Sequence, residues 1–296
     1  MAKTEGFFEL QDIRKEYALR RGLLQRLRGG APRVAAVDGV SLSIERGAIF
    51  GLVGESGCGK STLAQIIVRL IEPTAGKVVY RGADVARLKA EEQRTFRHAV
   101  QMVFQDTGSS LNPRKRIRRV LAEALAARSV TGAAAEGEIA SLMHQVGLDA
   151  MLLRRFPHEL SGGQRQRVGI ARALAMKPEV LVADEPVSAL DVSLQGQIIN
   201  LLSDLNRELG LTIILISHDL AVVARVCTQI AVMNAGKIVE RGAPRQVLFH
   251  PTDPYTRMLI ASVPRGLAGR SRRQGLGPAA VDGAAAPEDE RQAAAD

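Results

Sequence analysis

Gly54-Glu55-Ser56-Gly57-Cys58-Gly59-Lys60-Ser61 fills every position of the pattern G-x-x-x-x-G-K-[ST], and its residue types explain what the pattern does. The three glycines let the backbone turn sharply and bring N–H groups close to phosphate oxygens. A helix that starts at the lysine adds the positive end of its dipole. Lys60 is placed to reach β- and γ-phosphates, Ser61 carries a hydroxyl suited to Mg²⁺, and Thr62 meets the phosphate chain one step further along. The flanks agree with this reading. Ala48-Ile49-Phe50-Gly51-Leu52-Val53 is a buried-strand pattern, and Leu63-Ala64-Gln65-Ile66-Ile67-Val68-Arg69-Leu70 continues apolar at helical spacing. Nucleotide binding is therefore the first expectation.

The chain has 296 residues, 46% of them hydrophobic, enough for a sizeable core with an appended lobe. No apolar run approaches the roughly 18 residues of a membrane span, and the start Met1-Ala2-Lys3-Thr4-Glu5-Gly6 lacks the apolar centre of a secretory signal. A cytosolic location is expected. Two cysteines, Cys58 and Cys227, exclude a disulfide framework and a four-cysteine metal site within this chain. Cys227 reads as a small core residue in a helix. The formal net charge of +9 is unevenly spread. Arg20, Arg21, Arg26, Arg28 and Arg33 fall between Ala18 and Val34 without an acid, and a second cluster runs Arg114-Lys115-Arg116-Ile117-Arg118-Arg119. Either cluster is a solvated face or an attractor of anions. Neither contains the aromatics that would favour single-stranded nucleic acid, which points toward a membrane surface or a protein partner.

Phe7-Phe8-Glu9-Leu10-Gln11-Asp12-Ile13 alternates like an edge strand, and Ala36 to Ile44 does the same, which predicts a small antiparallel sheet. Val100-Gln101-Met102-Val103-Phe104, Val180-Leu181-Val182-Ala183 and Leu211-Thr212-Ile213-Ile214-Leu215-Ile216 are continuous apolar runs, as in a parallel sheet covered by helices. Between Asp106 and His158 only periodic segments rich in Ala, Leu and Arg occur, so a helical lobe is expected there. Gly236 to Gly242 reads as a hairpin end, and from Arg265 the composition predicts disorder.

Val180 to Ala183 leads into Asp184-Glu185. Adjacent side chains at a strand end point in different directions, which suits two tasks: Asp184 for Mg²⁺, and Glu185 for orienting and deprotonating an attacking water. Leu160-Ser161-Gly162-Gly163-Gln164-Arg165-Gln166-Arg167-Val168 opens a helical stretch running through Ala175. Ser161 followed by Gln164 has the form of a capping box, and two glycines at a helix start expose N–H groups to a second anion.

This nonapeptide resembles the signature motif of ATP-binding cassette (ABC) ATPases, and the resemblance extends from about Phe7 to Pro264 with the motifs in family order. It implies a P-loop NTPase core, a RecA-like parallel sheet, joined by an antiparallel β subdomain and an inserted helical lobe. It implies that Tyr17 stacks on adenine and that Val37 and Gly54, Glu55, Ser56, Gly57, Cys58, Gly59, Lys60, Ser61 and Thr62 contact ATP. Gln105 matches the Q-loop glutamine, serving nucleotide, metal and catalysis, and His218 matches the switch histidine. The resemblance makes Lys60, Gln105, Glu185 and His218 the catalytic set, and Ser61, Gln105 and Asp184 the metal set. Ser188-Ala189-Leu190-Asp191 matches the D-loop. Two such subunits close head to tail, so Ser161, Gly162, Gly163, Gln164 and Asp191 act on a partner's ATP.

Pro251-Thr252-Asp253-Pro254-Tyr255-Thr256, Ser110-Leu111-Asn112-Pro113-Arg114 and the arginine-rich segment resemble the oligopeptide/dipeptide importer branch, most like its F-type ATPase subunit. That implies two transmembrane permease subunits, a second ABC ATPase, an extracytoplasmic solute-binding protein, and a peripheral position on the cytoplasmic face of the membrane. Some members carry a cysteine-ligated iron–sulfur cluster near the C-terminus. No cysteine follows Cys227, so none is expected here. The expected divisions are 7–105 and 160–245 for the ATP-binding core, 106–159 for the lobe, 246–264 for an oligopeptide-type extension and 265–296 for the tail. The rival reading is a soluble ABC-type ATPase acting on nucleic acid or ribosomes. The absence of coiled-coil insertions and of a second cassette disfavours it, and no nucleic-acid partner is expected.

Overall fold

The computed structural model describes residues 7–18, 33–105, 110–188 and 190–262. Most of the first arginine cluster, Asp106, Ala189 and the tail from Arg265 lie outside the described residues.

Two sheets share one hydrophobic interior. The first contains β1 (Phe8–Ala18), β2 (Arg33–Ile44), β4 (Ala75–Tyr80) and the short β5 (Ala83–Asp84), antiparallel in the order β2-β1-β4-β5. The alternation of β1 holds at Phe8 and Leu10, and an irregularity at Asp12, with φ +48°, then returns Ile13 to the buried face. Its expected edge position does not hold: β2 pairs on one side and β4 on the other. Alternation reports which face of a strand is buried, whereas edge position concerns hydrogen bonds in the plane of the sheet, so the pattern could not decide it.

The second sheet has the order β10-β9-β3-β8-β7-β6. Its members are β3 (Ile49–Val53), β6 (Val100–Val103), β7 (Val180–Asp184), β8 (Thr212–Ser217), β9 (Gln229–Asn234) and β10 (Lys237–Gly242). All pairings are parallel except that of the terminal hairpin, β9 with β10. Both faces are covered, which explains the continuous apolar runs. Ile49, Val53, Leu181, Ala183, Ile213 and Leu215 face one core cluster, while Phe50, Leu52, Val180, Val182, Ile214 and Ile216 face the other.

Helix α1 (Lys60–Ile67) buries Leu63, Ala64, Ile66 and Ile67 in the cluster between the two sheets. Helix α2 (Ala90–Ala99), more polar, presents only Phe96 and Ala99 to the same cluster. The opposite face carries α3 (Ile117–Ala126), α4 (Gly132–Gln145) and α5 (Gly162–Leu174), with α6 (Val192–Leu209) beside them. The segment expected to be a helical lobe contains α3, α4 and two 3₁₀ turns, Ala150–Arg154 and Pro157–Glu159, and no strand among its described residues. Its basic cluster is paired in part, three of the five cations with two acids. Lys115 and Arg119 pair with Glu123 at 2.7 and 2.9 Å, and Arg118 pairs with Glu136 at 2.6 Å.

Helix α7 (Leu220–Val226) ends just before Cys227, which lies in extended backbone rather than in the helix expected for it. The thiol is a core group as expected, its pKa pushed up to about 12 by burial. Two short helices, α8 (Pro244–Phe249) and α9 (Pro254–Ser262), close the described chain.

Candidate functional site

The loop between β3 and α1 is built by close backbone approach. A Cβ on Gly54 would lie 2.2 Å from the Met233 carbonyl oxygen, and one on Gly59 would lie 2.1 Å from that of Ala36, so neither position admits a larger residue without displacement. Gly59 also adopts φ +110° as it caps α1. The turn of the β9–β10 hairpin holds the loop from outside, Gly236 N–H donating to the Cys58 carbonyl at 2.9 Å and Asp38 N–H to that of Gly236 at 2.8 Å. Cys58 itself is buried, which raises its thiol pKa while Lys60 pulls it back.

Lys60 is 4% exposed, and its ammonium donates to the carbonyls of Gly54 and Glu55, each at 2.8 Å. With no acid in the first turn of α1, the site is shaped for an anion, and the lysine meanwhile occupies loop carbonyls. Ser61 Oγ donates to Asp184 Oδ1 at 3.2 Å. Burial raises the Asp184 carboxyl pKa and the Ser61 hydrogen bond opposes the rise, so a cation beside this carboxylate would relieve a real cost.

The two acids at the end of β7 do diverge. Asp184 remains in the β7–β8 ladder opposite Ile216, whereas Glu185 takes φ +44°. A left-handed backbone at a non-glycine costs about 1–2 kcal/mol, offset here by the Glu185 N–H bond to the Ile216 carbonyl at 3.0 Å. The turn aims the Glu185 carboxylate at Gln105, whose Nε2 donates to it at 3.0 Å, and at His218, whose Nδ1 lies 3.4 Å from the same oxygen. Ser188 Oγ closes the turn by donating to the Glu185 carbonyl at 3.2 Å. Gln105, Glu185 and His218 line a cavity of about 710 Å³ together with loop residues 54–56 and, from α9, Leu259 and Ser262.

Among the described residues no cluster of three or more His, Cys, Asp or Glu offers a complete metal cage. Asp184 and Ser61 supply two adjacent hard oxygens and leave the remaining positions to phosphate and water, which is how Mg²⁺ is commonly held. Gln105 instead turns its amide nitrogen to Glu185 and Ser188.

Other expected site residues stand apart. Ser161 caps α5 in a reciprocal box, accepting from Gln164 N–H at 3.2 Å while Gln164 Oε1 accepts from Ser161 N–H at 2.9 Å. Gly162 and Gly163 abut Leu190 and Leu194, so the start of α5 rests on the start of α6. Asp191 caps α6, accepting from Leu194 N–H at 2.9 Å, a bond that holds its carboxyl below the usual range. None of these five residues lines the cavity. Tyr17, next to last in β1, is 44% exposed with the Lys15 ammonium 5.5 Å from its ring centroid, and does not line the cavity either. The Val37 side chain is fully buried, so a ligand would meet only its backbone. Sequence reasoning missed Leu259, Ser262 and Tyr255, although the motif 251–256 had marked the segment.

The ABC transporter family model matches residues 37–188. The chain is similar to the oligopeptide transport ATP-binding protein AppF of Bacillus subtilis (strain 168), 45% identical over 277 residues, 92% of this chain and 83% of that protein. It is similar also to the dipeptide transport ATP-binding protein DppF of Haemophilus influenzae, 44% identical over 254 residues, 86% of this chain and 76% of that one. Among solved structures, a dimeric ATP-binding cassette in a post-hydrolysis state, bound to ADP and Pi, superposes with a TM-score of 0.69 at 29% identity, covering 80% of this chain and 99% of that chain.

Proposed function

This chain belongs to the ABC transporter family as one of its ATP-binding ATPase subunits, and from that premise we propose that it powers a peptide or related-solute importer by hydrolysing MgATP between two closed cassettes. The observation that carries the chemistry is the divergence of Asp184 and Glu185 beside Lys60. One carboxylate faces the Ser61 hydroxyl, and the next is held by Gln105 and His218 on the far side of the same strand end.

In this reading Lys60 moves its ammonium from the loop carbonyls to the β- and γ-phosphates, where the N–H groups of 57–62 and the start of α1 add to its field. Asp184 and Ser61 would hold Mg²⁺, which supplies charge neutralisation to the phosphates. Glu185 orients the attacking water and accepts its proton, with Gln105 fixing the carboxylate and His218 set toward the γ-phosphate. Ser161, Gly163 and the exposed start of α5 complete the site of a partner subunit. This fits their position outside the cavity of their own chain.

The named relatives support peptides as cargo and a place beside two permease subunits on the cytoplasmic face of the membrane. Among the described residues no helix is long and apolar enough to cross a membrane, so the permease subunits provide the path. The comparisons give no support to the nucleic-acid reading.

The test is Glu185→Gln. It keeps the size and the Gln105 contact of the side chain but removes the base. ATP binding is expected to persist while phosphate release falls by at least about 100-fold, within the usual worth of general base catalysis. Near-normal turnover would remove Glu185 from the role.

A further inference from the structure

The last described helix reaches back to the phosphate loop. Tyr255, the second residue of α9, uses its phenol oxygen to accept the Glu55 backbone N–H at 3.0 Å. The other end of that peptide unit, the Gly54 carbonyl, accepts from the Lys60 ammonium at 2.8 Å. The Gly54–Glu55 peptide plane is thus held at both ends, by side chains from opposite ends of the chain. Glycine on one side of this plane offers little steric resistance to rotation, so hydrogen bonds must fix it. Lys60 can serve as one of those restraints only while its ammonium stays on the loop. Once it turns to a phosphate, the Tyr255 hydroxyl is the restraint left on this peptide.

The tyrosine is itself firmly placed. Glu240 on β10 accepts from Thr252 N–H at 2.9 Å, Thr252 Oγ1 at 3.1 Å and Asp253 N–H at 3.2 Å. Asp253 in turn accepts from Tyr255 N–H at 2.8 Å and Thr256 N–H at 3.3 Å, capping α9. Leu259 packs into the core one turn later, and the helix continues along the cavity that holds Glu185 and His218. The hairpin containing β10 therefore grips the loop twice, through its turn at Cys58 and through the extension at Glu55.

We propose that Tyr255 is a positioning residue of the nucleotide site. Its hydroxyl keeps the Gly54–Glu55 peptide from flipping when Lys60 leaves the loop carbonyls for phosphate, so that the cradle stays formed during the exchange. This rests on reading 54–61 as the phosphate loop.

The experiment compares the full chain with its Tyr255→Phe variant, which keeps the ring and loses the hydroxyl. The readouts are phosphate release against MgATP concentration and thermal melting. The KM for MgATP is expected to rise about threefold to tenfold, the worth of one hydrogen bond, with kcat falling by less than KM rises. An unchanged KM overturns the proposal, and an unchanged KM with a lowered melting temperature assigns Tyr255 to helix docking alone. Glu240→Gln, which loosens the anchor while leaving Tyr255 in place, is expected to weaken ADP binding in the same direction; unchanged ADP affinity in both variants also overturns the proposal. Failure of the wild-type chain to bind ADP would instead overturn the reading of the loop.

Discussion

Gly54 and Gly57 lie three positions apart in one loop, and the structure gives them different jobs. A methyl group at Gly54 meets the Met233 carbonyl at 2.2 Å, whereas one at Gly57 meets nothing within 4 Å and is penalised only by φ +84°. Gly57→Ala is therefore expected to cost about 1–2 kcal/mol of backbone strain and to leave the loop in place. Gly54→Ala must push β9 and the loop apart, costing more than that and weakening ADP binding as well. Melting curves with and without ADP would check the order, and equal effects in the two variants would contradict the close approach described for Gly54. The type of each glycine was legible in the sequence, but the reason for Gly54 was not, because the carbonyl it avoids belongs to a strand about 180 residues away. Asp184 and Glu185 were legible for the opposite reason. Their divergence follows from strand geometry alone, although the left-handed turn that delivers Glu185 to Gln105 and His218 does not.

At the level of elements, the apolar parallel strands and the helix after the phosphate loop stood out in the sequence because burial on both faces leaves a continuous apolar run. Strand β9 did not, since Gln229 and Asn234 bracket only four apolar residues, and α2 was hidden by a polar composition with a narrow buried stripe. The lobe holds a pair whose effect depends on pH. The Arg128 hydrogen bond, with Lys177 assisting, holds the Glu138 carboxyl below its ordinary range. A depressed folded pKa contributes stability above the unfolded value and loses it as pH falls through the folded one. Glu138→Gln is expected to lower the melting temperature by roughly 1–3 °C at neutral pH. The difference should shrink toward zero below the carboxylate range, where the wild-type group is also uncharged. A difference that persists in acid would mean that shape rather than charge sets the cost.

For the whole molecule, the proposed function gives one chain two incomplete halves of a site, consistent with Ser161 and Asp191 lying outside the cavity. Such halves can complement each other. Lys60→Ala removes the phosphate half and Ser161→Ala the signature half. Each variant alone should hydrolyse ATP poorly, and an equimolar mixture should regain part of the wild-type rate, because a mixed pair contains one site with both halves intact. A mixture no faster than its components would confine catalysis to a single chain or require a different ATPase as partner. Pairing of this kind could be suspected from the sequence only through family resemblance, since spacing along a chain does not show which residues fail to meet. In the folded chain Ser161 and Asp191 each cap their own helix, and neither lines the cavity beside the phosphate loop.

Strand β7 also bears on how such a chain can diverge. Its five residues sit in register between β6 and β8, and Asp184 is the last of them still paired. Loss or gain of one residue between Val180 and Ala183 would turn every later side chain to the opposite face of the sheet, exchanging what the two acids see. Loop segments elsewhere can lengthen at little cost, but this strand has no slack. The geometry of this strand accommodates substitution but not a change of length, because the division of labour between neighbouring carboxylates is written in the count of residues as much as in their identity.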